Sequence, residues 1–301
     1  MTDTSGRDEK GRIRDLLLRV PALSGREFSI EPLGGGMTNR NFLVEADGES
    51  YVARVAGEGT ELLGIDRDRE AACARAAFKA GVGPEVVGSL RGPAVLVTRF
   101  VPGRVLTTES LREPTTLRRV AQSLRRCHEH PAPPEAAAFS PFAGARLNHA
   151  LAKERQAAMP GEMGQALATL DRIERDLPAG DPHCLCHNDM LPANLIEDDR
   201  QIWIIDWEFA GLGDRYFDLA ALAANGEFDD EQEEALLAEY LGEVRPQDLR
   251  RLRLMRLVSN FRESTWGYLQ SVLSNLYEPD YYQDYGKRYL ELFLAGSEGL
   301  V

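Results

Sequence analysis

Hydrophobic and polar residues alternate over short runs within the first hundred positions of the chain. The alternation at 28–32, 41–46 and 51–55 is typical of half-buried strands. The glycine-rich stretch GGGMTN separates the first two runs, and DGES provides a turn between the second and the third. Further strand candidates lie at 85–90 and 94–100. Together these runs predict a small antiparallel sheet near the amino terminus.

One helix is predicted between the third and fourth strand candidates, in the segment DRDREAACARAAFKAGVG. Asp66 is placed to cap its first turn, and Gly81 is placed to stop it. Ala71, Ala74 and Phe78 recur on one face of this helix, so we expect that face to be buried.

The pattern becomes helical beyond a break at Pro102 and Gly103. TTLRRVAQSLRRC repeats apolar residues on one helical face, and further helices are predicted near 145–158 and 163–177. From about position 217 the pattern predicts three or four helices, one of them spanning about 247–275. We therefore divide the chain into a strand-rich lobe at 1–101 and a helical lobe at 102–301.

A hairpin interrupts the helical pattern in the segment CHNDMLPANLIEDDRQIWIIDW, positions 186–207. Its two short apolar runs flank DDR, so Asn194 and Asp206 should meet at one end, next to the loop that carries Asp189. Carboxylate and amide oxygens there would bind Mg²⁺. Asp189 would be free to accept a proton from a hydroxyl group. These are the components of phosphoryl transfer: a positioned base, an Asn and an Asp on the metal.

Two other interpretations of this segment compete with the magnesium hypothesis. His183, Cys184, Cys186 and His187 could hold zinc, but a structural zinc site needs a second ligand pair elsewhere. Strand alternation would point Cys184 and Cys186 to one face, which suits buried free thiols. In the second interpretation, the Asp and Asn residues are ordinary turn formers.

Composition narrows the class of protein. The chain has 301 residues, 43% of them hydrophobic and 28% charged, with a net charge of -13. This charge disfavours nucleic acid as a partner and suits a small cation. Four cysteines form no disulfide framework, and no apolar run approaches the roughly 20 residues of a membrane helix. The amino terminus also lacks the pattern of a signal peptide, so we expect a cytoplasmic protein without membrane insertion.

HNDMLPAN matches the pattern His-x-Asp-x-x-x-x-Asn of protein-kinase-like enzymes, and IIDW stands where they carry a metal-binding Asp. The longer string HNDMLPANLI…IIDWEFAGLGDRYFDLA resembles the choline/ethanolamine kinase and aminoglycoside phosphotransferase group. This resemblance implies an α+β, two-lobed protein-kinase-like fold, with a small antiparallel-sheet N-lobe that has one main helix and a larger, mostly helical C-lobe. It implies that Asp189 is the base, His187 orients the catalytic loop, Asn194 and Asp206 bind Mg²⁺, and Asp218 supports the loop.

The nucleotide is expected in the N-lobe, with ATP as co-substrate. YVARV has an Arg at the strand position where protein kinases carry a Lys. Many choline kinases resemble this chain in having Arg there. A Glu on the following helix is the expected partner of this Arg. The glycine-rich loop should cover the phosphates, and RFVPGRVL resembles the segment whose backbone binds adenine. The predicted ATP-binding positions are Gly36, Thr38, Asn39, Arg54, Glu70, Arg99 and Val101.

The acceptor pocket is predicted from aromatic residues near the carboxyl terminus. A quaternary ammonium ion is held by aromatic faces, through cation–π attraction. Trp266 matches the first Trp of a pair in the family, whereas Leu269 stands at the second position. Tyr282 and Tyr285 could offer further ring faces, and Glu208 is expected near the metals or the substrate cation.

These observations predict an ATP-dependent kinase for choline, ethanolamine or a related amino alcohol. Phosphorylation of an aminoglycoside, thiamine or another small alcohol is the alternative, and a non-catalytic nucleotide-binding regulator is a third. The helical spacing of Trp266 also suits a core position, so its place in a pocket stays open at this point.

Overall fold

The structure, a computed structural model, describes residues 4–34, 39–57, 60–92, 94–177 and 184–298. For 4–9, 60 and 61 it describes the backbone alone. The helices of this described part are α1 Thr4–Leu17, α2 Arg67–Lys79, α3 Thr108–Leu111, α4 Pro114–Glu129, α5 Pro141–Glu154, α6 Met163–Asp176, α7 Arg215–Asn225, α8 Asp230–Leu241, α9 Pro246–Leu273 and α10 Pro279–Ser297. The strands are β1 Phe28–Leu33, β2 Asn39–Ala46, β3 Glu49–Ala56, β4 Val86–Arg91, β5 Ala94–Arg99, β6 Arg104–Val105, β7 Cys184–Cys186, β8 Leu195–Glu197, β9 Ile202–Ile204 and β10 Gly211–Gly213.

The amino-terminal strands form an antiparallel sheet with the order β1-β2-β3-β5-β4, in agreement with the sequence-based prediction. Asp47 and Gly48 join β2 to β3, and both have positive φ, 50° and 80°. Two left-handed residues in a two-residue loop match the twist of the flanking strands, and Asp-Gly adopts this turn at low cost. The register of the hairpin therefore follows from a local sequence signal.

Helix α1 covers one face of this sheet, and the pattern analysis did not predict it. Ile13 and Leu17, with Val20 and Leu23 just beyond the helix, are buried in one cluster with the sheet residues. The predicted N-lobe with one main helix therefore has a second helix at its amino terminus. Its burial depends on a sheet that is assembled from later residues.

Helix α2 begins and ends where its sequence predicts. The Asp66 side chain accepts hydrogen bonds from the backbone N–H groups of Asp68 at 2.9 Å and Arg69 at 3.1 Å, as an N-cap does. The expectation that Phe78 is buried is wrong, because its side chain is 45% exposed. After the helix the chain reverses direction, and the backbone N–H of Val82 donates to the carbonyl of Ala77. Ala77 therefore occupies the buried position in the last turn of the helix.

The second core belongs to the helical lobe and is built around the long helix α9, which packs against α10, α5 and α7. Helices α9 and α10 cross at two glycines. A Cβ atom on Gly267 would lie 2.7 Å from the backbone nitrogen of Gly286, so this approach requires glycine. In the described part of the chain, no helix is both long and apolar enough to cross a membrane.

The predicted hairpin is confirmed as β8 and β9, and β8 also pairs with β6 to complete a small sheet. The backbone N–H of Ile205 donates to the carbonyl of Asn194 at 2.9 Å, which extends the hairpin to the neighbour of Asp206. A Cβ atom on Gly103 would lie 2.5 Å from the Glu197 carbonyl oxygen, so the chain entering β6 needs glycine to approach the hairpin. The boundary at residues 101–102 stays a prediction.

Candidate active site

The loop at 187–194 carries the predicted base and is held from below by one buried carboxylate. Asp218, on α7, accepts hydrogen bonds from the backbone N–H groups of His187 at 2.8 Å and Asn188 at 2.7 Å. His128 Nε2 lies 2.9 Å from the same carboxylate. Burial by itself would raise the pKa of Asp218, but these hydrogen bonds, led by the one from His128, lower it below its ordinary value. An ionised Asp218 therefore ties the start of the loop to α7 and α4.

His187 stands behind the loop and not on its reactive side. Its ring is fully buried, with Nε2 2.8 Å from the Ile205 carbonyl oxygen and its edge against Trp207 at 4.8 Å between ring centroids. Burial lowers the pKa of His187, so the ring is neutral at pH 7 and Nε2 donates to Ile205. This position suits the predicted orienting role, because the ring bridges the loop and the end of the hairpin.

Asp189 projects from this loop toward the cleft. Asn194 Nδ2 donates to its backbone carbonyl at 2.9 Å and to its carboxylate Oδ2 at 3.1 Å. Asn188, the residue before it, has φ 66°, a left-handed conformation that Asn tolerates and that turns the chain sharply. Burial raises the pKa of Asp189 well above its ordinary value, and the nearby charge of Glu263 raises it further.

The groups available to a cation on this side of the cleft are oxygen donors. Asp206 has φ 65°, so the chain turns at once after the hairpin and its carboxylate lines the same cleft as Asn194 and Asp189. The imidazole of His187 stands behind the loop, where its Nε2 is bound to the Ile205 carbonyl oxygen. An amide oxygen with carboxylates is the set that Mg²⁺ prefers. The residues therefore fit the predicted metal.

A network of buried charges connects the N-lobe to this site. Arg54 on β3 forms ion pairs with Glu70 on α2 and with Asp206. The Arg54–Glu70 pair was predicted from the sequence. The network continues through Arg67, whose Nη1 lies 2.7 Å from Glu70 and 3.1 Å from Glu208.

Glu208 belongs to the same network and was predicted to lie near the metals or the substrate cation. Asn39 Nδ2 donates to its carboxylate at 2.8 Å, and burial raises the pKa of Glu208. The carboxylate therefore faces the N-lobe while also lining the cleft.

The cleft between the two lobes collects most of the predicted site residues. Those that line it are Asn39, Arg54, Arg99, Val101, Asp189, Asn194, Asp206, Glu208, Trp266 and Tyr285. Glu70, His187 and Tyr282 stand behind this lining and support it. Gly36 and Thr38 lie outside the described residues.

Trp266 lies on the cleft wall and Leu269 does not. The indole ring is 7% exposed and packs edge-on against Tyr285 at 5.5 Å and Tyr282 at 5.9 Å between centroids. Leu269 is completely buried in the core of the helical lobe. Tyr282 is also completely buried, and its hydroxyl contacts Ser274 at 2.7 Å. The aromatic wall of the cleft is therefore Trp266 with Tyr285, backed by Tyr282.

Sequence reasoning missed three charged residues of this region: Arg67, Arg262 and Glu263. Arg67 stands three positions before Glu70, a spacing that places both on one face of a helix. Arg262 and Glu263 are adjacent opposite charges in the buried stretch of the long helix α9, and both line the cleft. Charged residues inside a buried helix almost always have a partner, so an adjacent Arg and Glu in such a helix was the sequence signal that could have identified them.

The cysteines offer a different cluster from the one that the zinc interpretation invoked. Cys184 and Cys186 do point the same way, with Sγ atoms 3.5 Å apart, and His128 stands beside them. Both ring nitrogens of His128 are engaged, Nδ1 by the Tyr240 hydroxyl at 2.7 Å and Nε2 by Asp218. His187 is turned away, and His183 lies outside the described residues. These contacts favour buried thiols over a zinc site.

Comparison with known proteins adds an independent line of evidence. Residues 29–255 match the model of the phosphotransferase enzyme family. Protein LicA of Haemophilus influenzae is 27% identical over 216 residues, a match that covers 70% of this chain and 62% of that protein. The chain therefore spans less than two thirds of the length of this relative.

Solved structures resemble the chain over nearly its full length. A choline/ethanolamine kinase family protein from Mesorhizobium loti is 26% identical, with a TM-score of 0.76, and the match covers 95% of this chain and 97% of that one. Choline kinase LicA from Streptococcus pneumoniae is 23% identical, with a TM-score of 0.78 and coverage of 98% and 99%. These similarities confirm the predicted two-lobed, protein-kinase-like fold.

Proposed function

Because the chain belongs to the phosphotransferase enzyme family, we propose that it transfers the γ-phosphoryl group of ATP to the hydroxyl group of a small amino alcohol, with choline or ethanolamine first. One observation carries this proposal. Asn194 Nδ2 lies 3.1 Å from Asp189 Oδ2 in a loop that Asp218 anchors, and Asp206 lines the same cleft. A base and two oxygen ligands in one cleft are the components of phosphoryl transfer.

Asp189 is the base in this proposal. The hydroxyl group of the acceptor gives its proton to the Asp189 carboxylate as its oxygen attacks the γ-phosphorus, and the bond from the γ-phosphorus to the β–γ bridging oxygen breaks to release ADP. Burial raises the pKa of Asp189, which makes the ionised carboxylate a stronger base than an exposed one. The amide of Asn194 keeps the carboxylate oriented through the bond to Oδ2.

Asn194 and Asp206 would hold Mg²⁺ through their side-chain oxygens. When bound, the ion neutralises charge on the phosphates of the nucleotide. Arg54 would contribute a fixed positive charge beside these phosphates, because its pairing with Glu70 holds the guanidinium at the inner end of the cleft.

The adenine ring would lie in the apolar part of the cleft. Val52 and Leu96 line it from the sheet, and Ile196 and Ile205 line it from the hairpin. Backbone groups at 99–101, where β5 leaves the sheet, would supply the polar contacts. Two apolar walls with a polar edge suit a flat heterocycle.

The acceptor would lie beyond Asp189, against Trp266 and Tyr285. The names of the similar structures support an amino alcohol, since they describe choline and choline/ethanolamine kinases. The net charge of -13 also suits a cationic substrate. All four cysteines are free thiols, which supports a reducing, cytoplasmic location.

Mg²⁺-dependent ADP release with choline, ethanolamine, thiamine and kanamycin in parallel tests the proposal, with Asp189→Asn as the control. Selective turnover of choline or ethanolamine supports it. Turnover of thiamine or kanamycin alone would keep the phosphotransfer and reject the amino alcohol. Tight ATP binding without ADP release for any alcohol would favour a nucleotide-binding regulator.

A further inference from the structure

Two opposite charges lie side by side in the wall of the cleft, next to Asp189 and Trp266. Arg262 and Glu263 are neighbours on α9, and only 4% and 6% of their surfaces are exposed. Arg262 Nη1 donates to Glu263 Oε1 at 2.9 Å, and both side chains line the cleft. Desolvating two charges is costly, so a pair of this kind calls for a specific explanation.

Each charge is held in place by its own aromatic partner. The Arg262 guanidinium lies over the ring of Phe209 at 4.8 Å and near that of Phe139 at 5.6 Å. The Tyr285 hydroxyl donates to the second carboxylate oxygen of Glu263 at 2.7 Å. The pair is therefore rigid, and its orientation is set before any substrate arrives.

This pair suits a plain cation poorly. Glu263 attracts an ammonium group, but Arg262 stands one residue away and repels it with equal charge. A guanidinium group has five N–H donors, and the bond to Glu263 uses one of them. Its fork shape matches a carboxylate through two parallel hydrogen bonds. The cleft therefore presents a site for an anion as well as for a cation.

We propose that the acceptor is a zwitterionic amino alcohol, a short hydroxy amino acid. Its carboxylate faces Arg262, its ammonium group faces Glu263 and Trp266, and its hydroxyl group faces Asp189. In an α-amino acid the ammonium and carboxylate groups sit on one carbon, so their dipole is complementary to two adjacent side chains of opposite charge. The inference rests on the proposed kinase activity, and among small amino alcohols it places a hydroxy amino acid ahead of choline and ethanolamine.

Two matched substrate pairs test the inference without any mutation. L-Serine differs from ethanolamine, and L-homoserine from 3-aminopropan-1-ol, by the carboxylate alone. With saturating Mg²⁺ and ATP, we expect kcat/KM for one of the amino acids to exceed that of its partner by about 10- to 100-fold, the effect of one charge-assisted hydrogen bond or ion pair. A higher kcat/KM for both carboxylate-free partners would overturn the inference and leave the kinase intact.

Arg262→Met provides the second test, because it keeps the length of the side chain and removes the charge. It should raise KM for the amino acid about 10- to 100-fold and lower KM for the matching amine, since a like charge is gone. Arg262→Lys should recover part of the amino acid affinity. Loss of kcat with both substrates would instead place Arg262 on the phosphate and sink the inference. No turnover of any alcohol by a wild-type protein that binds ATP would overturn the proposed function and this inference together.

Discussion

Asn39 donates a hydrogen bond from Nδ2 to the Oε2 atom of Glu208 at 2.8 Å, although 169 positions separate the two residues. Glu208 follows the hairpin of β8 and β9, and Asn39 begins the second strand of the N-lobe sheet. Arg67 contacts the same carboxylate oxygen at 3.1 Å and Asn39 Oδ1 at the same distance. A buried carboxylate between two donors from the other lobe fixes how the lobes meet, because any separation leaves these groups unpaired.

Asn39→Ala should weaken this junction. Removing the amide takes one of two donors from Glu208 Oε2 and leaves Arg67 Nη2 without its acceptor Asn39 Oδ1, and an unpaired buried polar group costs about 1–3 kcal/mol. We expect the free energy of unfolding to fall by this amount and the KM for ATP to rise. Glu45→Ala on the same strand, whose side chain is exposed, is the matched control for urea unfolding. Equal stability of the two variants would contradict the proposed junction.

Asp189→Asn should reduce kcat by about 10²–10⁴-fold, the usual contribution of a general base. The amide keeps the shape of the carboxylate but cannot accept the proton of the acceptor. ATP binding, measured by calorimetry, should stay near the wild-type value. Asp199→Asn in the exposed turn of the hairpin serves as the control and should leave both quantities unchanged. A variant that retained the wild-type kcat would remove Asp189 from the mechanism.

Asp206→Asn should change the response of the enzyme to magnesium. The substitution removes a charged oxygen ligand, so we expect half-saturation with Mg²⁺ to require at least about 10- to 100-fold more metal, as for the loss of a ligand-orienting group. The measurement is the initial rate against Mg²⁺ concentration at fixed ATP. An unchanged half-saturation point with a lower kcat would indicate that Asp206 acts through Arg54 and not through the metal.

Trp266 and Leu269 lie one helical turn apart, and we expect substitution of Trp266 to change KM and substitution of Leu269 to change stability. Trp266→Leu keeps an apolar side chain but removes the ring and its cation–π contact with the acceptor. Such a contact is worth about 0.5–2 kcal/mol, so KM for the acceptor should rise about 2- to 30-fold. Leu269→Ala leaves a cavity in the core and should cost about 2–5 kcal/mol of stability with little change in KM. Steady-state kinetics and thermal unfolding on both variants separate these effects. A raised KM in the Leu269 variant alone would reject the assignment.

Asp218→Asn should destabilise the protein in a pH-dependent way. An Asn side chain cannot accept both loop N–H groups and His128 as a carboxylate does, so we expect a loss of about 3 kcal/mol at pH 7. The pKa of Asp218 is below its ordinary value of 3.8 in the folded state, so its stabilisation is full above that pH. As the pH falls through the lowered pKa the carboxylate protonates and the stabilisation is lost.

The stability difference between wild type and Asp218→Asn should therefore narrow below about pH 4, and guanidinium unfolding between pH 3 and pH 7 measures it. Asp171→Asn on the exposed face of α6 is the control, since its pairing with Arg146 at the surface is worth little. A difference that widened in acid would mean that the ionised form of Asp218 does not stabilise the loop.

Local signals in the sequence predicted the parts of the molecule that are built from neighbouring residues. Asp-Gly predicted the turn from β2 to β3, and Asp66 predicted the start of α2, because turns and caps depend on a few adjacent backbone groups. The proximity of Asn194 to Asp206 was predicted because a short hairpin brings its two ends together. Helix α1 escaped prediction because its burial depends on a sheet whose strands come later in the chain.

By itself, the sequence determined the strands of the N-lobe sheet, helix α2, the hairpin of β8 and β9, and the resemblance to choline/ethanolamine and aminoglycoside kinases. Only the tertiary structure decided that Trp266 lies on the cleft while Leu269 is core, and that Arg262 and Glu263 face the cleft beside Asp189. The physical reason lies in the later part of α9, where every residue from Leu257 to Ser271 is buried, so its periodicity contains no polar face to orient it. Which side of such a helix meets the cleft is set by the elements packed around it.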